Sequence, residues 1–215
     1  MTNTHKFMIE RRSAKRYQEN FKIEKSQIKE LLEIIRYSPT SYGMEAYKVY
    51  CILNQEIKEE MFSAFKNQPA VKECSALIIW TVFKEEYMKN FHIEKQARTI
   101  TNPENDKGYN YIQEGIKGFL VYQNVSMENW LARQVYISLG ALTIAIKEMN
   151  LDCCPVEGFV REELDNILSK HNIIDNKIET STVCLFLGKI DDTKKNHYSY
   201  KRHKKTPEET YKIIE

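Results

Sequence analysis

At 215 residues with 42% hydrophobic side chains, the chain is long enough for one domain with a sizeable core. A formal net charge of only +2, with 29% charged residues, gives no field that would recruit nucleic acid or an anionic membrane, so small-molecule chemistry is the expected class. The five cysteines, Cys51, Cys74, Cys153, Cys154 and Cys184, form no C-x-x-C pair, which predicts reduced thiols packed as small hydrophobes in a cytoplasmic protein. In chain order, Ile28, Leu31, Leu32 and Ile35 recur at helical spacing over 24–37, with Pro39 just beyond, and predict an amphipathic helix. The runs 46–53 and 76–83 are β-rich and predict strands buried on both faces, with a helix over 57–66 between them. The run 76–83 falls far short of the roughly 18 residues of a membrane span. The chain also reaches Glu10-Arg11-Arg12 before any apolar signal region, so neither a membrane nor secretion is expected. Over 84–123 two charged, helical stretches flank a turn cluster at 101–108, an arrangement suited to a mobile cover. From Ser126 to Asn150 apolar residues occupy several helical faces, including Leu131, Val135, Leu139 and, elsewhere, Ile137, Ala141 and Ile144. A helix apolar nearly all round is expected to be buried nearly all round, with more cover than one subunit supplies. A helix over 161–170, a strand over 182–190 ending in Gly188 and a basic tail complete a single domain spanning 1–215.

Five segments carry candidate chemistry. Arg11-Arg12-Ser13-Ala14-Lys15-Arg16 puts four cations and a hydroxyl within six residues, and reads either as a solvated basic turn or as a phosphate grip. The loop Pro39-Thr40-Ser41-Tyr42-Gly43-Met44-Glu45 reads as a helix-to-strand connection, with Pro39 as helix stop and Gly43 as a permissive backbone position. Asn67 reads as a cap or turn residue after a helix. Cys153 to Phe159 reads as a strand and turn; no His or second Cys pair stands at ligand spacing, which argues against a metal, and Gly158 permits close approach of a flat ligand. Lys201-Arg202-His203-Lys204-Lys205 is short for a nucleic-acid patch and lacks interleaved aromatics beyond Tyr198 and Tyr200. Among seven glycines there is no G-x-G-x-x-G and no P-loop, which argues against a Rossmann nicotinamide site.

Taken together, these segments resemble the FMN-dependent nitroreductase family. Arg11, Ser13, Lys15 and Tyr17 fall at the spacing of its N-terminal signature, and Pro39-Thr40-Ser41 matches its Pro-Ser-Ser loop, with Ala46-Tyr47 standing where relatives have Pro-Trp. Trp130 and Gln134-Val135-Tyr136 match its dimer-core helix, and Glu157-Gly158 its flavin-facing turn. The resemblance implies an α+β fold, a mixed central sheet flanked by helices, built as an intertwined homodimer with two FMN sites at the interface. It implies that Arg11 and Ser13, with Arg12 beside them, bind the phosphate region of FMN and that Lys15 lies near the pyrimidine edge of the ring. Pro39, Thr40 and Ser41 would reach the partner's flavin, Asn67 its polar edge, and the backbone amides of Glu157 and Gly158 its O4 and N5. A C-terminal basic pair would join the phosphate, at Arg202 and Lys204 or, in a register shifted by a single residue, at Lys201 and His203. The implied activity is transfer of two electrons from NADH or NADPH to a nitroaromatic or quinone by a ping-pong mechanism, with no side-chain catalytic residue. Dehalogenation, enone reduction or flavin fragmentation are the alternatives within the family, and a non-enzymatic binding module the alternative outside it. Residues 84–123 would be a variable cover tuning substrate choice and 191–215 a C-terminal arm. A charge at Leu139, in the middle of the apolar helix, is expected to abolish dimer and flavin together.

Overall fold

A computed structural model describes residues 1–195 and 202–215; Lys201, Tyr198 and Tyr200 lie outside the described residues. The run at 76–83, apolar but for Thr81, becomes the buried strand around which the rest is arranged. The strands are β1 (Tyr47–Ile52), β2 (Ala76–Phe83), β3 (Asp152–Val156) and β4 (Glu179–Gly188), in the order β1-β2-β4-β3. Neighbours pair antiparallel, Tyr47 opposite Val82, Ala76 opposite Leu187 and Cys153 opposite Leu187. The α+β class stands, and among the described residues the parallel component is a single bridge from Ser13 to Cys153. Successive side chains of β2 point to opposite faces. Ile78, Trp80 and Val82 enter one core, and Leu77 and Ile79 the other.

The first core is roofed by α2 (Lys25–Arg36), α6 (Ile93–Thr101), α7 (Asp106–Tyr122) and α8 (Met127–Glu148); Trp80, fully buried, donates its indole N–H to Ser138 Oγ at 3.1 Å. The second core holds Met61 and Phe65, which follow α3 (Gln55–Glu60), and Leu164 and Leu168 of α9 (Arg161–Lys170). Short helices complete the chain: α1 (Asn3–Glu10), α4 (Ala70–Glu73), α5 (Glu85–Tyr87), which runs through a π turn at Met88–His92 into α6, and α10 (Pro207–Thr210). The cluster at 101–108 is the turn between α6 and α7, where the Asn105 side chain caps α7 by accepting from the Gly108 amide.

Four expectations are corrected. The helix expected over 57–66 ends at Glu60: the Phe62 amide bonds back three residues to the Glu59 carbonyl, and the turns that follow close with Lys66 and Asn67 left-handed, at φ 55° and 57°. Strand β1 is not buried on both faces: it is the sheet edge and most of it is only half-buried. Strand β4 starts three residues early, at a polar run that hydrophobicity alone reads as loop. Glu179 is buried there because Lys48, Tyr50 and Thr81 donate to its carboxylate, and Asp165 of α9 accepts from the Ser181 amide and the Thr180 hydroxyl. Helix α8 is not buried nearly all round within one subunit. Trp130, Leu131, Val135, Leu139 and Leu142 face the core, whereas Ile137 remains 50% exposed and Tyr136 39%. Leu139, only 5% exposed, packs in its own subunit, so a charge there tests folding and not assembly. Among the described residues no helix is long and apolar enough to cross a membrane, and no group of three or more His, Cys, Asp or Glu could hold a metal ion.

Candidate functional site

Beyond α1 the chain runs extended alongside β3, the Ala14 amide donating to the Cys153 carbonyl at 3.0 Å. Buried Tyr17 and half-buried Arg16 anchor the segment. Tyr17 donates its hydroxyl to the Phe186 carbonyl, and Arg16 grips Glu73 with Nε and Nη2 at 2.6–3.0 Å. Burial raises the Glu73 carboxyl, but donation from Arg16, the Tyr17 amide and Lys194 outweighs it and holds the group below the ordinary carboxylate range. Arg16 is therefore a structural cation. Arg11 is different: Nη2 donates to Ser13 Oγ at 3.3 Å, while its buried Nε has no hydrogen-bond partner among the described residues. Arg12, exposed, caps the end of α1 by donating to the Ile9 and Arg11 carbonyls. Arg202 donates to the Met8, Ile9 and Arg11 carbonyls, which sets it beside Arg11, and Lys204 is exposed. Burial first, then the charges of Arg12 and Arg11, lower the pKa of Arg202. Three guanidinium groups crowded with one unpartnered donor form a place that a phosphate would relieve.

Lys15, half-buried, donates to the Cys154 thiol at 3.3 Å, a weak acceptor that leaves the ammonium open to a better one. Burial pushes the thiol of Cys51 up to about 11 and those of Cys74 and Cys153 up to about 12. Such groups stay protonated at neutral pH, and all five cysteines are free.

Past β3 the chain turns at Glu157-Gly158. The Phe159 amide donates to the Glu157 carbonyl at 2.8 Å, the Gln68 side chain to the Gly158 carbonyl at 3.1 Å, and the Val160 amide to the Ala64 carbonyl at 2.7 Å. From α8 the Tyr136 hydroxyl donates to the Glu157 carboxylate; burial chiefly, and that carboxylate next, raise the phenol pKa. A Cβ at Gly158 would meet Gln68 Nε2 at 3.5 Å, an ordinary contact, so the subunit's own packing does not demand glycine there. The open side suits a ligand lying close to the backbone. Asn67, exposed, sits next to Gln68 at the edge of this group. The segment 11–15 with Arg202 beside it thus runs along β3 from its first residues, and the turn at 157–158 with Asn67 nearby lies past its last. Sequence reasoning missed Gln68, and marked Cys154 and Tyr136 only as parts of their strand and helix; the contacts that bring them to this group are with residues remote in sequence, which no local pattern marks.

Pro39, Thr40 and Ser41 belong to a second group. The Ser41 amide donates to Gln134 of α8 at 3.0 Å, Gln96 of α6 donates to the Gly43 carbonyl at 2.8 Å, and His92 to the Met44 carbonyl at 2.7 Å. Tyr42, Gly43 and Glu45 all take positive φ, and a Cβ at Gly115 of α7 would lie 2.9 Å from the Tyr42 hydroxyl. Among the described residues the two groups share no hydrogen bond or ion pair. A separate cleft of about 500 Å³ opens between α5, α7 and the start of α8, floored by Ile93, Ile116 and Leu120, and no candidate site residue lines it.

His92 makes the loop's attachment pH-dependent. Its bond to a carbonyl fixes the neutral Nε2–H tautomer, and burial lowers its pKa, with the Met44 carbonyl pulling the other way and Lys95 adding to the fall. The unfolded chain then binds the proton more readily than the folded one, so this contribution is intact above about pH 6.5 and is lost as pH falls towards the folded pKa. Wild-type melting temperature should fall further between pH 7.5 and 5.5 than that of His92→Gln; equal slopes in thermal scans would remove His92 as the cause.

The model of the nitroreductase family matches residues 8–189. An oxygen-insensitive NADPH nitroreductase of Helicobacter acinonychis is 26% identical over 192 residues, covering 84% of each chain. A nitroreductase-like protein of Streptococcus mutans superposes with a TM-score of 0.76 at 19% identity over 100% of both chains. A nitroreductase of Exiguobacterium sibiricum solved in complex with FMN gives 0.72 at 19% identity, over 100% of this chain and 98% of the other. With the segment 11–15 and the turn at 157–158 set along β3 and a family match over most of its length, the chain belongs to the nitroreductase family.

Proposed function

We propose that the protein is a cytoplasmic, homodimeric, FMN-dependent oxidoreductase that passes two electrons from NADH or NADPH to a nitroaromatic or quinone by a ping-pong mechanism. The observation that carries this reading is the buried Arg11 Nε, without a hydrogen-bond partner among the described residues, beside Arg12 and Arg202 on the same edge as an open glycine turn. FMN supplies the hydride chemistry when bound. In this assignment Arg11, Arg12, Ser13, Arg202 and Lys204 hold its phosphate region, Lys15 lies at the pyrimidine edge, and the Glu157 and Gly158 amides, with Asn67, line the polar edge of the ring. Lys15 favours the anionic reduced state by its charge, and the backbone amides favour it by donation. Pro39, Thr40 and Ser41 serve the site of the partner subunit, which accounts for their attachment to other elements of their own. The half-exposed apolar face of α8 supports the dimer. Residues 84–123 act as the substrate cover, gripping the 39–45 loop through His92 and Gln96, and 191–215 as the arm that brings Arg202 to the site.

Reconstitution tests the reading. The purified protein should bind FMN with quenching of flavin fluorescence, and should oxidise NADH or NADPH in the presence of a quinone or nitroaromatic with parallel double-reciprocal lines. A folded protein that takes up no FMN overturns it.

A further inference from the structure

Both carbonyls of the Glu157-Gly158 turn are committed, one to the Phe159 amide and the other to the Gln68 side chain. The first bond is local and closes the turn. The second ties the turn to a segment 90 residues away and sets its orientation on the subunit. Gln68 reaches that carbonyl from a strained approach, since Lys66 and Asn67 immediately before it are both left-handed and neither is glycine. Left-handed backbone is tolerated by Asn but disfavoured for Lys, and strain of this kind persists where the surroundings impose it and tends to mark functional sites. The Val160 amide, on the Ala64 carbonyl, ties the same two segments a second time.

We propose that Gln68 is a positioning residue for the reaction: it holds the Gly158 carbonyl and thereby fixes the direction in which the Glu157 and Gly158 N–H groups point at the flavin. The inference rests on the FMN reading above. A preorganised donor is worth most when it need not reorient as charge develops, so loosening the turn weakens donation to the reduced, anionic ring more than to the oxidised one. Tyr136 restrains the Glu157 side chain, whereas Gln68 restrains the main chain that makes the contact.

The test replaces donor by acceptor at nearly constant shape. Gln68→Glu should speed amide hydrogen exchange at 157–160 in the FMN-free protein. In the FMN-loaded protein it should shift the oxidised-to-reduced equilibrium about tenfold towards the oxidised form, equivalent to about 30 mV for this two-electron couple. The difference from wild type should shrink as pH falls through the carboxylate range, because a protonated Glu donates again. Gln68→Leu should give the shift without the pH dependence, and decides the matter should Gln68→Glu fail to fold. Wild-type exchange and potential in variants of unchanged melting temperature that still bind FMN would overturn the role of Gln68 alone. A wild-type protein that binds no FMN would instead remove the reading beneath it.

Discussion

Arg11→Ala should lower FMN affinity by roughly tenfold to 150-fold, the equivalent of one charge-assisted hydrogen bond of about 1.5–3 kcal/mol. The fold should survive, because among the described residues the side chain makes one long bond, to Ser13, while the segment is anchored by Arg16 on Glu73 and Tyr17 on Phe186. Arg12→Ala is the control: its guanidinium is exposed and caps α1, so its effect on affinity should be smaller. Fluorescence titration of both variants reads the difference. An Arg11→Ala protein with wild-type affinity would show that the unpartnered Nε faces something other than the FMN phosphate.

Ile137→Glu should convert the protein to a folded monomer that has lost FMN. Ile137 lies mid-helix on the open face of α8, near Gly140, where among the described residues nothing beyond the helix's own backbone and the adjoining residues lies within 4 Å of the place a Cβ would occupy. Within the subunit the substitution is therefore tolerated. In an obligate dimer burying upwards of about 2,000 Å² it would place an unpaired carboxylate in the seam. The penalty is at least about 3 kcal/mol, more than roughly 100-fold in the dimer dissociation constant. Because the 39–45 loop serves the partner's site in this reading, assembly and FMN binding are linked and should fail together. Sedimentation and flavin absorbance measured on the same sample test this. A monomer that keeps wild-type FMN affinity would refute the shared site, and with it the assignment of Ser41.

Much of the architecture was legible in the chain because it is written in local periodicity. Helix α2, strand β2, helix α9 and the extent of α8 follow from spacings of two, three and four residues, and the segment at 11–17 and the turn at 157–158 are contiguous words that resemble those of the family whose model matches 8–189. Periodicity says which residues are apolar but not what covers them. The sequence therefore placed Leu139 and Ile137 alike on an apolar helix, and only the packing of α8 against β2 turned one inward and left the other open. The same limit applies to charge: four cations at 11–16 look equivalent until Glu73, 57 residues on, claims Arg16, and Arg202, 193 residues from Ile9, settles beside Arg11. Gln68 had no signal at all, since its partner is a main-chain carbonyl, which every residue has. Short-range patterns fix which elements form, because their hydrogen bonds are made within a turn or a strand pair. Which side chains meet, which donor is left without a partner and which face stays bare depend on contacts between remote segments, and those the tertiary structure alone decided.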